Sequence, residues 1–259
     1  MKRTYFSKIY LLAFFIFLGG SFSKAISDDS IHLSISDFDL KIIENGNCNS
    51  ADVVLYKMRR IYDKRGKDPI IPAIPALIKR SNTDLKMDLD ECEGELFGEV
   101  IWALSVTGDK RVEPVLFDIM LCPNVSSWDV PKGFLRIGKS TFPPLLNYLY
   151  SINDSTKNVN ILTKLGIVMT FAKMGEYDST GTYFTENDKK VIKEEMLKLI
   201  KDKNENMRRV AVMALGYFGD KSTIPILNEI KISDPYFAKN GRYTVRREAE
   251  EAINNIMKR

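Results

Sequence analysis

The stretch MRRVAVMALGYFGDKSTIPILNEI, Met207 to Ile230, decides how the rest of the chain is read. Val210, Ala214 and Phe218, flanked by Ala211 and Leu215, recur at helical spacing on one face and predict an amphipathic helix. Gly219-Asp220 ends it, and a glycine there is expected to take the left-handed conformation that other residues resist. Pro225 suits the first turn of a second helix, where its missing N–H costs nothing. One helical hairpin follows from these residues.

The hairpin recurs. A glycine followed six residues later by a proline occurs as Gly66 and Pro72, Gly108 and Pro114, Gly138 and Pro144, and Gly219 and Pro225. Aliphatic residues stand two and five positions past each proline: Ile74 and Leu77, Leu116 and Ile119, Leu146 and Leu149, Leu227 and Ile230. Ala103-Leu104-Ser105 stands before Gly108-Asp109 as Ala214-Leu215-Gly216 does before Gly219-Asp220. Near the end, Val245-Arg246-Arg247-Glu248-Ala249 repeats the start of the quoted stretch as a closing half-repeat.

These blocks resemble a HEAT-type repeat of the kind also called phycobilisome-lyase-like, in their Arg-rich helix start, Ala-Leu-Gly core and Gly-Asp turn. The resemblance is good at residues 206–230 and 100–121, partial at 131–149 and weak at 61–77, and it speaks for a fold rather than an activity. It implies an all-α, right-handed α–α superhelix over residues 51–259, a solenoid of about five helical hairpins plus the half-repeat. Each unit in such a stack buries its apolar face on its neighbours.

Residues 1–25 stand apart. Lys2, Arg3 and Lys8 precede an apolar run from Ile9 to Leu18 and small residues ending Ser23-Lys24-Ala25, the pattern of a secretory signal peptide. The run falls short of the roughly 20 residues a membrane span needs. The expected location is therefore the cell envelope, secreted or periplasmic, with no span after cleavage. Removing Lys2, Arg3, Lys8 and Lys24 from the 38 basic residues leaves as many bases as the 34 acids. Nucleic-acid binding needs a basic footprint, which this balance argues against. Residues 26–50 read as an acidic, irregular arm or cap, with the alternation Ile31, Leu33, Ile35 suggesting a short strand and the lone histidine, His32, inside it.

Catalytic and metal chemistry is sparse. Cys48, Cys92 and Cys122 lack the close spacing of zinc ligands. The acidic run Asp88, Asp90, Glu91, Glu93 and Glu95 lacks the ligand order of a calcium loop. Residues 133–140 match the letters of a phosphate-binding loop, but Pro131 precedes them and Pro143-Pro144 follow, where a strand and a long helix are required. No cofactor, metal or catalytic residue is assigned. In a stack of the resembled kind, starts of first helices and ends of second helices share one edge. Two of the three cysteines are then oxidised together in an exported chain, with Cys92–Cys122 preferred, Cys48–Cys92 its rival, and three reduced thiols the remaining reading.

The function expected is a protein-binding scaffold without catalysis. In the resembled repeats second helices line the concave face, which offers Phe117, Asp118, Asn147, Tyr148, Asn228 and Glu229 to a partner. The elaborated loop after Gly175 offers Tyr177, Tyr183 and Phe184, unless it folds back on its own aromatics. An enzyme with a cleft of carboxylates or a free cysteine, and a structural envelope component, are the competing classes.

Overall fold

A computed structural model describes residues 34–86, 91–122, 128–153, 160–178, 180–237 and 244–259. Every regular element among them is helical: twelve α-helices and four short 3-10 turns, with no strand. The signal-peptide segment and His32, Ile31 and Leu33 lie outside the described residues. Ile35 is not in a strand.

The first helix, α1 (Asp37–Asn45), stands where irregular chain was expected within the arm or cap of residues 26–50, of which residues 26–33 lie outside the described residues. Its start is a capping box: the Ser36 hydroxyl accepts from the Asp39 N–H, and the Asp39 carboxylate accepts from the Ser36 N–H at 2.8 Å. Asp39 also meets Lys57 at 2.8 Å, which fastens α1 to the next helix. Five helical pairs follow. They are α2 (Cys48–Arg65) with α3 (Ile74–Asp84), α4 (Glu91–Thr107) with α5 (Glu113–Leu121), and α6 (Asp129–Ile137) with α7 (Phe142–Asn153). Then come α8 (Ile161–Tyr177) with α9 (Glu186–Leu199), α10 (Glu205–Phe218) with α11 (Ile224–Ser233), and a last helix, α12 (Thr244–Met257). The pairs expected from sequence are all present.

The hinge between the helices of a pair is a 3-10 turn in four of the five: Asp68–Ala73, Lys110–Val112, Lys139–Thr141 and Lys221–Thr223. Pro75, Pro114, Pro143 and Pro225 are each the second residue of the helix that follows. The equivalent prolines are therefore Pro75 and Pro143, not the Pro72 and Pro144 that a fixed glycine–proline spacing picks out. Leu77, Leu116, Leu145 and Leu227, two positions past these prolines, are all 0% exposed. Gly66, Gly108 and Gly138 have φ of +75°, +63° and +101°, as a left-handed turn demands. Gly219 does not: its φ is −72° and ψ 167°. There the glycine serves close approach, since a Cβ would lie 3.1 Å from Thr223 Oγ1 and 3.2 Å from Ile256 Cδ1.

First helices touch in sequence order: α2 meets α4, α4 meets α6, α6 meets α8, α8 meets α10 and α10 meets α12. On the other side α1 meets α3, α3 meets α5, and α7 meets α9. Small residues allow the tight first-helix contacts. A Cβ on Gly216 would sit 3.0 Å from the Ala252 Cα, and one on Gly133 3.0 Å from Ser105 Oγ. A continuous apolar core runs from Ile43 to Ile256 between the two sets of helices.

The fourth pair lacks the proline turn, and its loop fills the gap with aromatics. The Asp178 carboxylate accepts from the backbone N–H of Thr182 and of Tyr183, which folds the loop inward. Tyr183 Oη lies 2.5 Å from Thr141 Oγ1 and donates to the Gly138 carbonyl at 3.3 Å. The Phe184 ring packs edge-on against Phe218 at 4.9 Å. The loop thus bolts the Gly138 turn to the end of α10.

The disulfide is Cys48–Cys92, with 6.2 Å between Cα atoms, and Cys122 is free. This overturns the preferred Cys92–Cys122 pairing in favour of its rival. Cys48 opens α2 and Cys92 lies in the first turn of the adjacent α4. Cys122 follows α5, whose last carbonyl, on Leu121, accepts from Thr163 Oγ1 of α8 at 3.1 Å. That bond draws the end of α5 towards α8.

Candidate binding site

Of the nine surface residues expected to meet a partner, three are in the core. Phe117, Tyr183 and Phe184 are 8%, 8% and 3% exposed. Phe117 stacks on Phe134 at 4.8 Å and on Tyr148 at 5.4 Å, which leaves Tyr148 half-buried. Burial holds the Tyr183 hydroxyl in its neutral form, with its pKa pushed up to about 12. Tyr177 is half-buried with the Lys132 ammonium 5.2 Å from its ring centre. Asp118, Asn147, Asn228 and Glu229 are exposed as expected. What remains of the expected surface is polar, and the large apolar groups have left it.

A different surface holds an exposed aromatic. Trp128, immediately before α6, is 51% exposed at the mouth of a cavity of about 170 Å³ between α5, α6 and α8. Ile119, Met120, Val130, Leu165 and Met169 line it. Lys173 of α8 holds its ammonium 4.3 Å above the indole and is anchored by Glu176 at 2.6 Å. A cation fixed over an indole holds the ring in place by its attraction to the π-face. The other tryptophan has the same arrangement but is closed. Arg59 lies 4.2 Å over Trp102, held by Glu99 at 2.7 Å, and Trp102 is 9% exposed. Trp102 is thereby part of the core, whereas Trp128 borders open apolar space.

Lys173 also borders a second pocket, of about 230 Å³, between α8, α10 and α12. Glu176, Glu248, Glu251, Tyr217 and Asn255 line it. Glu248 is 9% exposed, and its nearest cation, Arg209, stands 3.8 Å away, beyond hydrogen-bond reach. Burial raises its pKa, with the neighbouring Glu251 adding to the rise. Glu251 pairs with Arg247 at 3.5 Å on the exposed side of α12. Among the described residues, no group of three His, Cys, Asp or Glu side chains is placed to share a metal ion.

A third hollow, about 590 Å³, is lined by Lys189, Lys190, Lys193, Lys221 and Arg259 with Glu186 and Asp220. Much of this charge is already engaged. Lys193 binds Asp220 at 2.7 Å, and Lys189 binds Glu186 at 2.7 Å. The Arg259 guanidinium donates to the carbonyls of Gly216, Tyr217 and Gly219, covering the unsatisfied end of α10.

The phosphate-loop letters at residues 133–140 fall on the end of α6, the Gly138 turn and a 3-10 turn, with no strand before them. No helix among the described residues is long and apolar enough to cross a membrane. In the sequence the groove shows only as Trp128 in the polar stretch before Val130, which by itself assigns nothing. What no local pattern revealed is that α5, α6 and α8 converge beneath it. No protein-family profile matches the chain, and no curated protein matches it either.

Proposed function

We propose that this chain is an exported HEAT-like α–α superhelical scaffold that binds another protein. The ordered contacts of first helix with next first helix support the superhelical reading, because a stacked array makes neighbour contacts and few others. The Cys48–Cys92 bridge supports an oxidising compartment, where such bonds persist. The observation that carries the binding role is Trp128, half exposed over an apolar groove and held in place by Lys173. An indole with one wet face and an apolar pocket at its foot suits an interface anchor. The binding surface in this reading opens between first helices α6 and α8, with α5 as its floor, rather than along the second helices.

A photo-reactive phenylalanine analogue at position 128 in the full chain tests this in the source cells. The expected result is one discrete adduct, lost when Met169→Asp puts a charge into the apolar groove and absent with the same probe at the exposed Tyr56 of α2. Absence of an adduct at 128, or the same adduct from both positions, refutes the binding role.

A further inference from the structure

We infer that the hollow walled by α9, the Gly219 turn and the residues just past α12 is a binding site for the phosphate groups of a small polyanion. It shares no lining residue with the Trp128 groove and does not rest on the scaffold reading. Five side-chain cations line it: Lys189, Lys190 and Lys193 from α9, Lys221 from the turn, and Arg259. The two carboxylates among them, Glu186 and Asp220, are engaged by Lys189 and Lys193 at 2.7 Å each. Lys190 and Lys221 are exposed and have no salt-bridge partner among the described residues. Two like charges on different elements therefore border one space uncompensated. The acids close by are occupied elsewhere. Asp178 accepts from the backbone N–H of Thr182 and of Tyr183, and Asp188 caps α9 through the Thr185 N–H at 2.8 Å and stands 3.7 Å from Lys139.

Arg259 adds an independent observation. Its guanidinium is committed to three backbone carbonyls, which carry no net charge to balance it, and burial lowers its pKa although Glu186 and Asp220 act the other way. An anion in the hollow offsets that desolvation. Phe218 and Ile256, both buried, line the same space. A cleft with apolar walls and charges of one sign focuses its field and concentrates counter-ions. At about 590 Å³ the hollow is the size of a small-molecule site, with room for two phosphoryl groups. The free cations are ammonium groups on flexible stems, which meet a tetrahedral phosphate from any side. Planar carboxylates are best met by a guanidinium fork, and the one guanidinium here is already committed.

Pyrophosphate is the probe, titrated by calorimetry into the full chain. The expected result is saturable binding that the double Lys190→Gln, Lys221→Gln variant weakens about tenfold or more, through loss of two charge-assisted contacts. Both lysines are exposed, so the variant should fold as the parent does. The double Lys67→Gln, Lys110→Gln variant, at the exposed Gly66 and Gly108 turns, should bind as the parent does. Added salt that shortens the screening length from about 30 Å to about 8 Å should weaken binding, and malonate should bind less tightly than pyrophosphate. Sedimentation with vesicles of phosphatidylglycerol and phosphatidylcholine, lost in the Lys190, Lys221 variant, assigns the phosphate to a lipid headgroup. Pyrophosphate binding without sedimentation assigns it to a soluble phosphorylated compound. No saturable heat with the parent, equal affinity in the Lys190, Lys221 variant, or malonate matching pyrophosphate overturns the inference. A hexaglutamate peptide that binds more tightly than pyrophosphate also overturns it, in favour of an acidic protein segment.

Discussion

Replacing Cys48 by serine should cost this chain as much stability as replacing Cys92, while replacing Cys122 should cost almost nothing. The bridge closes a loop with a sequence separation of 44 residues. In the chain-entropy account, a cross-link over such a loop removes about 13 cal/mol/K from the unfolded chain, or about 4 kcal/mol at 25 °C. For a chain of this size that corresponds to a fall of roughly 8–16 °C in Tm. Cys48→Ser, Cys92→Ser and the double variant should fall by the same amount, because each removes the same single link. Reducing agent should reproduce the loss in the parent chain and leave the double variant unmoved. Urea titration followed by circular dichroism gives the magnitude. Hydrogen exchange locates it, with α2 to α4 losing protection before α10, since neighbour-limited contacts let one end loosen first. Cys122→Ser matching Cys92→Ser, with Cys48→Ser silent, would mean that the bridge is Cys92–Cys122. Three freely alkylating thiols in protein from an oxidising compartment would mean that there is none.

The repeat register is testable at α7: Leu145→Ala should cost about 2–5 kcal/mol and Leu146→Ala about 1 kcal/mol, because Leu145 is 0% exposed and Leu146 half-buried. Equal losses would contradict the alignment of Pro143 with Pro225. Asp109 and Asp220 cap equivalent turns, and cations beside them hold both carboxyls down at about 2, Arg111 for Asp109 and Lys193 for Asp220. The stability each contributes is present above the ordinary carboxyl range near 4 and is lost as pH falls towards 2. The double Asp109→Ala, Asp220→Ala variant should show a shallower acid limb in thermal melts, and an unchanged limb counts against the capping role. Tyr183→Phe removes the bond to Thr141 and should cost about 1 kcal/mol by urea unfolding. Because the buried phenol is pushed up to about 12, the folded chain keeps a proton that the unfolded chain gives up near 10, so stability falls as pH climbs through that window. The variant should lack this alkaline component.

Helix content, pair order and turn position were legible in the sequence because each depends on residues close together along the chain. Apolar spacing of three and four, a glycine at a helix end and a proline at a helix start act within one or two turns, wherever the segment finally lies. The same locality explains α1, which Ser36 and Asp39 announce as a capping box, although the alternation of Ile31, Leu33 and Ile35 drew attention to a strand instead. Tertiary structure alone decided the rest. Whether Gly138 pairs with Pro143 or Pro144 turns on which leucine the neighbouring helices bury. Whether Cys92 meets Cys48 or Cys122 turns on which helix ends lie side by side. Whether Phe117 and Tyr183 serve a partner or the core turns on what packs over them. The Trp128 groove and the carboxylate pocket belong to this second kind. The groove joins the consecutive α5 and α6 to α8, and the pocket joins α8, α10 and α12, so burial and charge proximity there come from packing that no short stretch of chain contains.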